Sequence, residues 1–458
     1  MTKRIALLAG ALLLALTLSG ARADAAKLTQ LPEIFRVSVE GQSRVEGDKE
    51  TYIYQEYLTS TNAAVNAELK ALVDGYVSQL EPGLQKDPRK NASRNSRLDV
   101  HIVYGRTGES WLSTLVLGRV SFQRKQVLSP FTTRTYDLQT GQRKYLTDLF
   151  PEDSAAWALL SQGARDALTA AFPDETPDEA QLDALCSPQA IRQAEFTLGG
   201  MELTLHFPAE ALYPEHHNLL HARFYYPQFA GMMTEEGVRA TDNSRWKMVA
   251  VTCDDGPGYA NSAKALNAMR MAGVRATYFT VGTVIEENSD ILLRESDENF
   301  LIASHSWSHK SGYGLKKLQS RLDSVAKVDA LLLRTTGEAA PFFRAPGGTY
   351  PPWLEAGIPK PLIQWSVDTY DYRGREVDTI CYSLRTYVQE GDIILMHDTS
   401  PHMFEAVPVW AESLTEKGFM MVSVAELAAA QQVQPENGKV YYRMLDGVYT
   451  DRDDSNTN

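Results

Sequence analysis

Cysteine is scarce. The 458 residues hold three, Cys186, Cys253 and Cys381, too few and too scattered for a disulfide scaffold or a Cys-rich zinc module. Positive charge is in deficit as well: 45 Lys+Arg face 58 Asp+Glu, a formal net charge of −13. That balance argues against a general polyanion binder, because nucleic acid demands a basic face. Only 22% of residues are charged against 43% hydrophobic, which excludes a mainly disordered chain. No segment beyond the N-terminus is long and apolar enough to cross a bilayer, which takes about 20 apolar residues. The length suggests two or three domains with real cores.

The N-terminus reads as a targeting segment. Lys3 and Arg4 precede an apolar run from Ile5 to Leu18, and Ala21 and Ala23 stand three and one residues before a cut at Asp24. This is the layout of a secretory signal peptide over residues 1–23; the alternative is an uncleaved anchor. Cleavage removes Lys3, Arg4 and Arg22 and no acid, taking the net charge from −13 to −16. The expectation is an exported protein, secreted or held in the cell envelope. Its thiols are expected to be buried and unpaired, with a Cys253–Cys381 bridge as the alternative.

Two textures follow. Residues 24–243 read as an α+β domain, with strand-like runs at Phe35–Val39, Thr51–Tyr57, Leu98–Val103, Trp111–Phe122 and Phe196–Phe207. A helix is predicted over Asn62–Leu80, with Ala63, Val65, Leu69, Leu72, Val73 and Val77 as its apolar stripe, and a second over Ala155–Ala171. The stretch Met232–Asn243 reads as a hinge. Residues 244–430 change rhythm: short apolar strands alternate with amphipathic helices, the signature of a parallel α/β arrangement. Strands are predicted at Met248–Thr252, Ala276–Val281, Leu301–Ser304, Phe342–Arg344, Leu362–Val367, Ile393–His397 and Met420–Val424. Helices are clearest at Ser262–Ala272 and Leu315–Leu333. Residues 431–458 read as a polar tail with one short strand-like piece, Val440–Tyr442.

Ionisable groups collect at the ends of five of these strands. Asp254-Asp255-Gly256-Pro257 follows the first, and His305-Ser306-Trp307-Ser308-His309 the third. Arg344-Ala345-Pro346-Gly347-Gly348 closes the fourth, Asp368-Thr369-Tyr370-Asp371-Tyr372 the fifth, and Leu395-Met396-His397-Asp398 the sixth. Each alone has an ordinary reading as a turn, a loop or a satisfied histidine. Together they fall in one βα register, and strand C-termini are where such folds build active sites. One carboxylate with two imidazoles makes a three-ligand divalent site with an open position, as in catalytic zinc centres, and the spacing of His305 and His309 would point both the same way from one helical turn. A zincin needs Glu after the first His, and Ser306 stands there. A second carboxylate and a further His then supply a general base and a general acid, which suits hydrolysis of an amide or ester.

These five blocks resemble, in order and rough spacing, the polysaccharide deacetylases with a NodB homology domain (carbohydrate esterase family 4), over about Trp246–Leu427. The resemblance implies a distorted (β/α) barrel, preceded here by the α+β domain. It also implies removal of an acetyl group from an N-acetylated sugar. By position, Asp254 resembles the catalytic base and Asp255 the adjoining metal ligand, with His305 and His309 as the other ligands. Arg344 would hold the base, and the Gly347 N–H would face the oxyanion. Asp371 would orient His397 as general acid, Leu395 would line the acetyl pocket, and Tyr372 would contact sugar. The implied cofactor is one divalent ion, foremost Zn2+, with Co2+, Ni2+ or Mn2+ as alternatives.

Three departures concern packing and subsite shape: Cys253 replaces the usual Phe, Ala345-Pro346-Gly347 replaces Pro-Pro-Tyr, and Tyr372 replaces Trp. The N-terminal region, from Asp137-Leu138-Gln139-Thr140-Gly141 to Tyr225-Tyr226, resembles the DUF4163/DUF3298 module. That implies a role near the cell wall, with a wall or protein ligand. Glu215, His216, His217 and His221 read as structural rather than as a second metal cluster. The expected partner is a cell-wall glycan, peptidoglycan GlcNAc or MurNAc, and not nucleic acid. Chitin-type oligomers or acetylated xylan are alternative substrates, and a non-catalytic wall-binding or sensing protein is the alternative of another class.

Overall fold

Alternation and turns build the first half. In the computed structural model, which describes residues 33–46, 49–85, 95–122, 125–128, 130–310, 318–348, 350 and 357–450, a seven-stranded sheet comes first. Its strands are β1 (Arg36–Glu46), β2 (Lys49–Thr59), β3 (Asn95–Thr107), β4 (Trp111–Phe122), β5 (Lys125–Leu128), β6 (Phe131–Asp137) and β7 (Gln142–Lys144). They run in the order β1-β2-β3-β4-β6-β7 with β5 on the end of β4. The predicted signal segment and Leu315 lie outside the described residues.

The predicted helix forms over Ala63–Leu80, where the Asn62 side chain accepts from the N–H groups of Ala64 and Val65. That cap satisfies two amides that otherwise have no partner. Its buried stripe is Val65, Leu69, Val73, Tyr76 and Leu80; Ala63 is exposed, so the face is turned slightly from the expected one. The helix lies close over Gly118, where a Cβ would press on Leu80 and Tyr76. β4 is buried on both faces: Leu112, Val116 and Val120 pack under this helix, while Leu115 and Leu117 face Leu219.

A three-stranded sheet follows, β8 (Glu195–Leu198), β9 (Glu202–Pro208) and β10 (Leu219–Tyr225), packed on the helix Ala156–Ala170. The single predicted strand Phe196–Phe207 is thus a hairpin, turned at Gly199-Gly200. The predicted hinge is also ordered. Helix Glu235–Thr241 starts from Thr234, whose hydroxyl accepts the Gly237 N–H at 2.8 Å. Asn243 then accepts the Gly108 N–H at 2.8 Å and donates to Thr107. Polar residues that read as a loop are here a cap and a buried clasp.

The second half is a parallel sheet flanked by helices. Its strands are β11 (Lys247–Asp254), β12 (Ala276–Thr280), β13 (Leu301–Ser304), β14 (Leu362–Ile363), β15 (Val367–Asp368), β16 (Ile393–His397) and β17 (Phe419–Val422). The order is β13-β12-β11-β16-β15, with β17 beside the first half of β11. The predicted strand Phe342–Arg344 reduces to single bridges from Phe343 to Ser304 and Leu362. The predicted strand Leu362–Val367 splits in two for a chemical reason: the Arg344 guanidinium takes the carbonyls of Ile363 and Gln364. Among the described residues β14 and β15 do not pair with each other.

The predicted polar tail is partly core. β18 (Val440–Tyr441) pairs with β14, and β19 (Arg443–Leu445) and β20 (Val448–Thr450) form a hairpin. Tyr441 and Met444 are fully buried beside Ile363 and Ile393, an apolar anchor hidden in a polar stretch. All three cysteines are buried and free, so the Cys253–Cys381 bridge is not formed.

Buried ion pairs join the halves: Arg119 to Asp297 at 2.8 Å, Arg270 to Glu56, and Arg275 to Glu202 at 2.9 Å. Removing one partner of such a pair costs about 3–5 kcal/mol, since it strands the other charge away from water. Among the described residues no helix is long and apolar enough to cross a membrane.

Candidate active site

Parallel register sets the site. Asp254 at the end of β11 is the direct partner of His397 at the end of β16, and adjacent strands lie about 4.8 Å apart. Their side chains therefore start as neighbours on one face. Asp255 would point to the opposite face if the strand continued. Instead its φ of 78° ends the strand in the left-handed region, and both carboxylates reach the same pocket.

Arg344 fixes the first carboxylate. The guanidinium is fully buried and donates to Asp254 Oδ1 at 2.6 Å and to the Thr252 hydroxyl at 2.8 Å. Two further donors bind the carbonyls of Ile363 at 3.0 Å and Gln364 at 3.1 Å. The Phe279 ring covers it at 4.1 Å. One Asp254 oxygen is thereby engaged, and Oδ2 lies 3.6 Å from His305 Nε2.

Asp255, His305 and His309 present ligand atoms within 4.8 Å of one another. Asp255 Oδ1 is 3.1 Å from His309 Nε2 and 3.5 Å from His305 Nε2. His305 Nδ1 lies 2.8 Å from the Arg344 carbonyl, so Nδ1 carries the proton and Nε2 keeps its lone pair. The Asp255 Oδ1 atom is buried without a hydrogen-bond partner, the signature of an oxygen awaiting a cation. Burial alone would raise this carboxyl; the surrounding imidazoles outweigh it and hold it at about 2. The donor set fits a divalent ion. His305 and His309 do not sit on a helical turn, as their spacing suggested; left-handed Ser306 and His309 bend the chain instead.

His397 is the second half of the site. Its Nδ1–H donates to Asp371 Oδ1 at 2.8 Å, and its backbone N–H to Asp371 Oδ2 at 2.8 Å. The Tyr372 N–H at 3.0 Å also donates to Oδ1, and the single Thr369 hydroxyl proton is shared between Oδ1 at 3.2 Å and the Leu395 carbonyl at 2.9 Å. Burial opposes a charge on His397, but Asp371 prevails and raises it to about 9.

The remaining predicted residues lie around this core. The Tyr372 ring stands edge-on to His397, with centroids 5.1 Å apart, and is half exposed. Leu395 is buried on β16, and its carbonyl accepts the Thr369 hydroxyl. Gly347 is exposed with φ 65°, and no atom lies within 4 Å of where its Cβ would stand.

Sequence reasoning missed several supporting groups. Asp398 is fully buried, neither oxygen has a hydrogen-bond partner, and burial pushes it up to about 7. It lies under the Asp254–Pro257 turn, where a Cβ on Gly256 would run into its carboxylate. Its place directly after His397 was the available signal. The Thr252 hydroxyl accepts from Arg344 and donates to the Ile394 carbonyl, and the Thr369 hydroxyl lies 3.2 Å from Asp371 Oδ1; strand patterns disclose neither. Tyr350 donates nothing to substrate chemistry here but accepts the Ala345 N–H at 2.7 Å, and Trp365 backs Gly348. Two aromatics from outside the motif thus brace the loop in which Pro-Pro-Tyr is replaced. The Glu215–His221 group is structural: His216 pairs with Glu175 at 2.7 Å on the Phe172 ring, and His217 with Glu210 at 3.3 Å.

Comparison with known proteins bears on this constellation. The family model "Polysaccharide deacetylase" matches residues 225–356, the stretch that holds the first three of the five motifs. The peptidoglycan-N-acetylglucosamine deacetylase PgdA of Listeria monocytogenes is 28% identical over 200 residues, covering 44% of this chain and 42% of the relative. The peptidoglycan-N-acetylmuramic acid deacetylase PdaC of Bacillus subtilis is 26% identical over 181 residues, covering 40% and 38%. The chain thus spans about two fifths of the length of these relatives. Among solved structures, a "T48 deacetylase with substrate" is 28% identical with a TM-score of 0.42, covering 44% of this chain and all of that one.

Proposed function

We propose that the chain is an exported, metal-dependent hydrolase that removes N-acetyl groups from cell-wall amino sugars, peptidoglycan GlcNAc or MurNAc. One observation carries the reading. A carboxylate clamped by a buried Arg344, Asp254, stands in register with an imidazole clamped by a buried Asp371, His397. Amide hydrolysis needs that pair, one group to accept a proton from water and one to deliver a proton to nitrogen.

The chain's own residues divide the work. Asp254 offers its Oδ2 oxygen to the attacking water, because Arg344 occupies Oδ1. Arg344 also keeps that carboxylate from rotating, because its guanidinium is fixed by Thr252 and by the carbonyls of Ile363 and Gln364. His397 enters the reaction protonated at neutral pH, since it is raised to about 9. It gives the Nε2 proton to the departing amine and becomes a neutral imidazole, its Nδ1–H still held by Asp371. Asp255, His305 and His309 would hold the divalent ion, which when bound supplies Lewis acidity at the acetyl carbonyl and the water. Gly347 is exposed and Tyr372 half-exposed, so a backbone N–H for the acetyl oxygen and a ring for the sugar face are available from them.

Export is supported by the Lys3-Arg4 start, the Ile5–Leu18 run and the Ala21-x-Ala23 pattern. The resemblance of the N-terminal half to wall-associated modules fits the same compartment. The reading is tested by measuring acetate released from purified peptidoglycan, chitooligosaccharide and acetylxylan in parallel. Peptidoglycan should be the best substrate; no acetate from any of the three would refute the reading.

A further inference from the structure

The chain after β15 makes an unusual surface. Tyr370 is left-handed at φ 54°, the short turn Asp371–Arg373 follows, and Gly374 is left-handed again at φ 68°. Bracketing the turn this way brings the rings of Tyr370 and Tyr372 to 6.2 Å and faces Tyr372 to His397. The guanidinium of Arg373 stacks 4.7 Å from the Tyr370 centroid and 5.4 Å from that of Tyr372. Arg375 stacks 4.9 Å from Tyr370 on the same cluster.

These two arginines differ from most others in the chain. Arg119, Arg223, Arg270, Arg275 and Arg344 each hold a carboxylate. Among the described residues no carboxylate lies within 4.0 Å of Arg373 or Arg375. Asp368, an acid that feels the charge of Arg373, spends its Oδ1 on the Tyr370 N–H at 2.7 Å. The floor of the pocket carries Asp254, Asp255 and Asp371, and the chain bears −13 overall. An anionic glycan is repelled from such a site unless fixed cations meet its charge at the rim. Arg373 and Arg375 are such cations, pre-stacked on rings and within one turn of the general acid.

We infer that Arg373 and Arg375, on the Tyr370–Tyr372 platform beside His397, read a carboxylate on the substrate. They thereby select glycans whose acetylated sugar carries, or adjoins, an ether-linked carboxylate such as the lactyl group of N-acetylmuramic acid. The inference rests on the deacetylase reading above and names the substrate class within it. A planar guanidinium matches a carboxylate with two parallel N–H groups, and the tyrosine faces offer stacking for the sugar ring. A neutral chitin-type chain gives these two donors nothing to bind.

The test uses a peptide-free tetrasaccharide of alternating N-acetylglucosamine and N-acetylmuramic acid, and the same compound with its carboxylates amidated. The wild-type chain should favour the acidic form in kcat/KM for acetate release. In R373Q/R375Q the ratio of acidic to amidated kcat/KM should fall about tenfold, and R373K/R375K should restore part of it. A ratio unchanged within twofold would overturn the inference. Calorimetric binding of both compounds to the Asp254→Asn protein separates this outcome from failure of the deacetylase reading. Selective loss of affinity for the acidic form in D254N/R373Q/R375Q supports the rim even without turnover, and equal affinity for both forms refutes it.

Discussion

Replacing Asp371 by Asn changes one oxygen to an NH2 group where the structure has room for acceptors only. Asp371 is fully buried, and its two oxygens take the His397 Nδ1–H, the His397 N–H, the Tyr372 N–H and the Thr369 hydroxyl. An amide can turn its oxygen toward the imidazole or toward the His397 backbone, and it fails the other. The charge that favours imidazolium is lost in either orientation. His397 stands at about 9 in this environment against an ordinary 6.5, which corresponds to about 3 kcal/mol in favour of the charged form. Most of this should vanish in Asp371→Asn.

Two readouts follow with defined signs. The alkaline limb of the kcat/KM profile, where the general acid loses its proton, should move down by about 2 pH units. Stability should respond differently at the two ends of the range. A group raised in the folded state stabilises fully below its unfolded value, near 6.5, and loses that contribution as pH rises through about 9. The variant should therefore lose about 3 kcal/mol in urea unfolding at pH 6 and only about 1 kcal/mol at pH 10, where a neutral hydrogen bond remains. An alkaline limb that stays in place, with equal destabilisation at both pH values, would refute the role assigned to Asp371.

Three further outcomes are expected. Arg344→Met removes a guanidinium with four fixed partners and strands Asp254; chemical denaturation should show a loss of about 3–5 kcal/mol. Asp255→Ala removes a ligand whose oxygen has no other partner, so calorimetric titration with Zn2+ should lose its single tight site while the circular dichroism spectrum is unchanged. His206 and His221 share a hydrogen bond at 2.9 Å between their Nδ1 atoms, and His221 Nε2 donates to the Ser296 carbonyl at 2.9 Å. Burial pushes both well below their ordinary value, so the unfolded chain takes up protons first. Stability should fall as pH drops below about 6.5, and His206→Gln should flatten that fall in thermal melts; an equally steep fall in the variant would contradict it.

Much of the site was legible because its chemistry is local in sequence. Each motif ends a strand, and parallel pairing alone then brings Asp254 beside His397. What escaped was long-range. Nothing near residues 362–367 announces that Arg344 takes two carbonyls and splits a strand. Asp398 looks like a turn residue until the packing closes over it. The polar stretch at 232–243 hid a capped helix, and the strand-like Val440–Tyr442 gave no sign that Tyr441 and Met444 anchor the core, because a few well-placed apolar residues decide burial and average polarity does not. Helical spacing misread His305 and His309, since left-handed residues, not a helix, turn both toward Asp255.

The central claim is that Asp254 is the base of an amide hydrolysis beside a bound divalent ion, and one paired measurement reaches it. Metal-free protein is titrated with Zn2+ by calorimetry, and acetate release from N-acetylated cell-wall glycan is followed at each step, for the wild-type chain and for Asp254→Asn. Equal ion binding by the two proteins is expected, with turnover rising to one equivalent in the wild type and at least a hundredfold lower in the variant. Turnover by Asp254→Asn at the wild-type rate would contradict it.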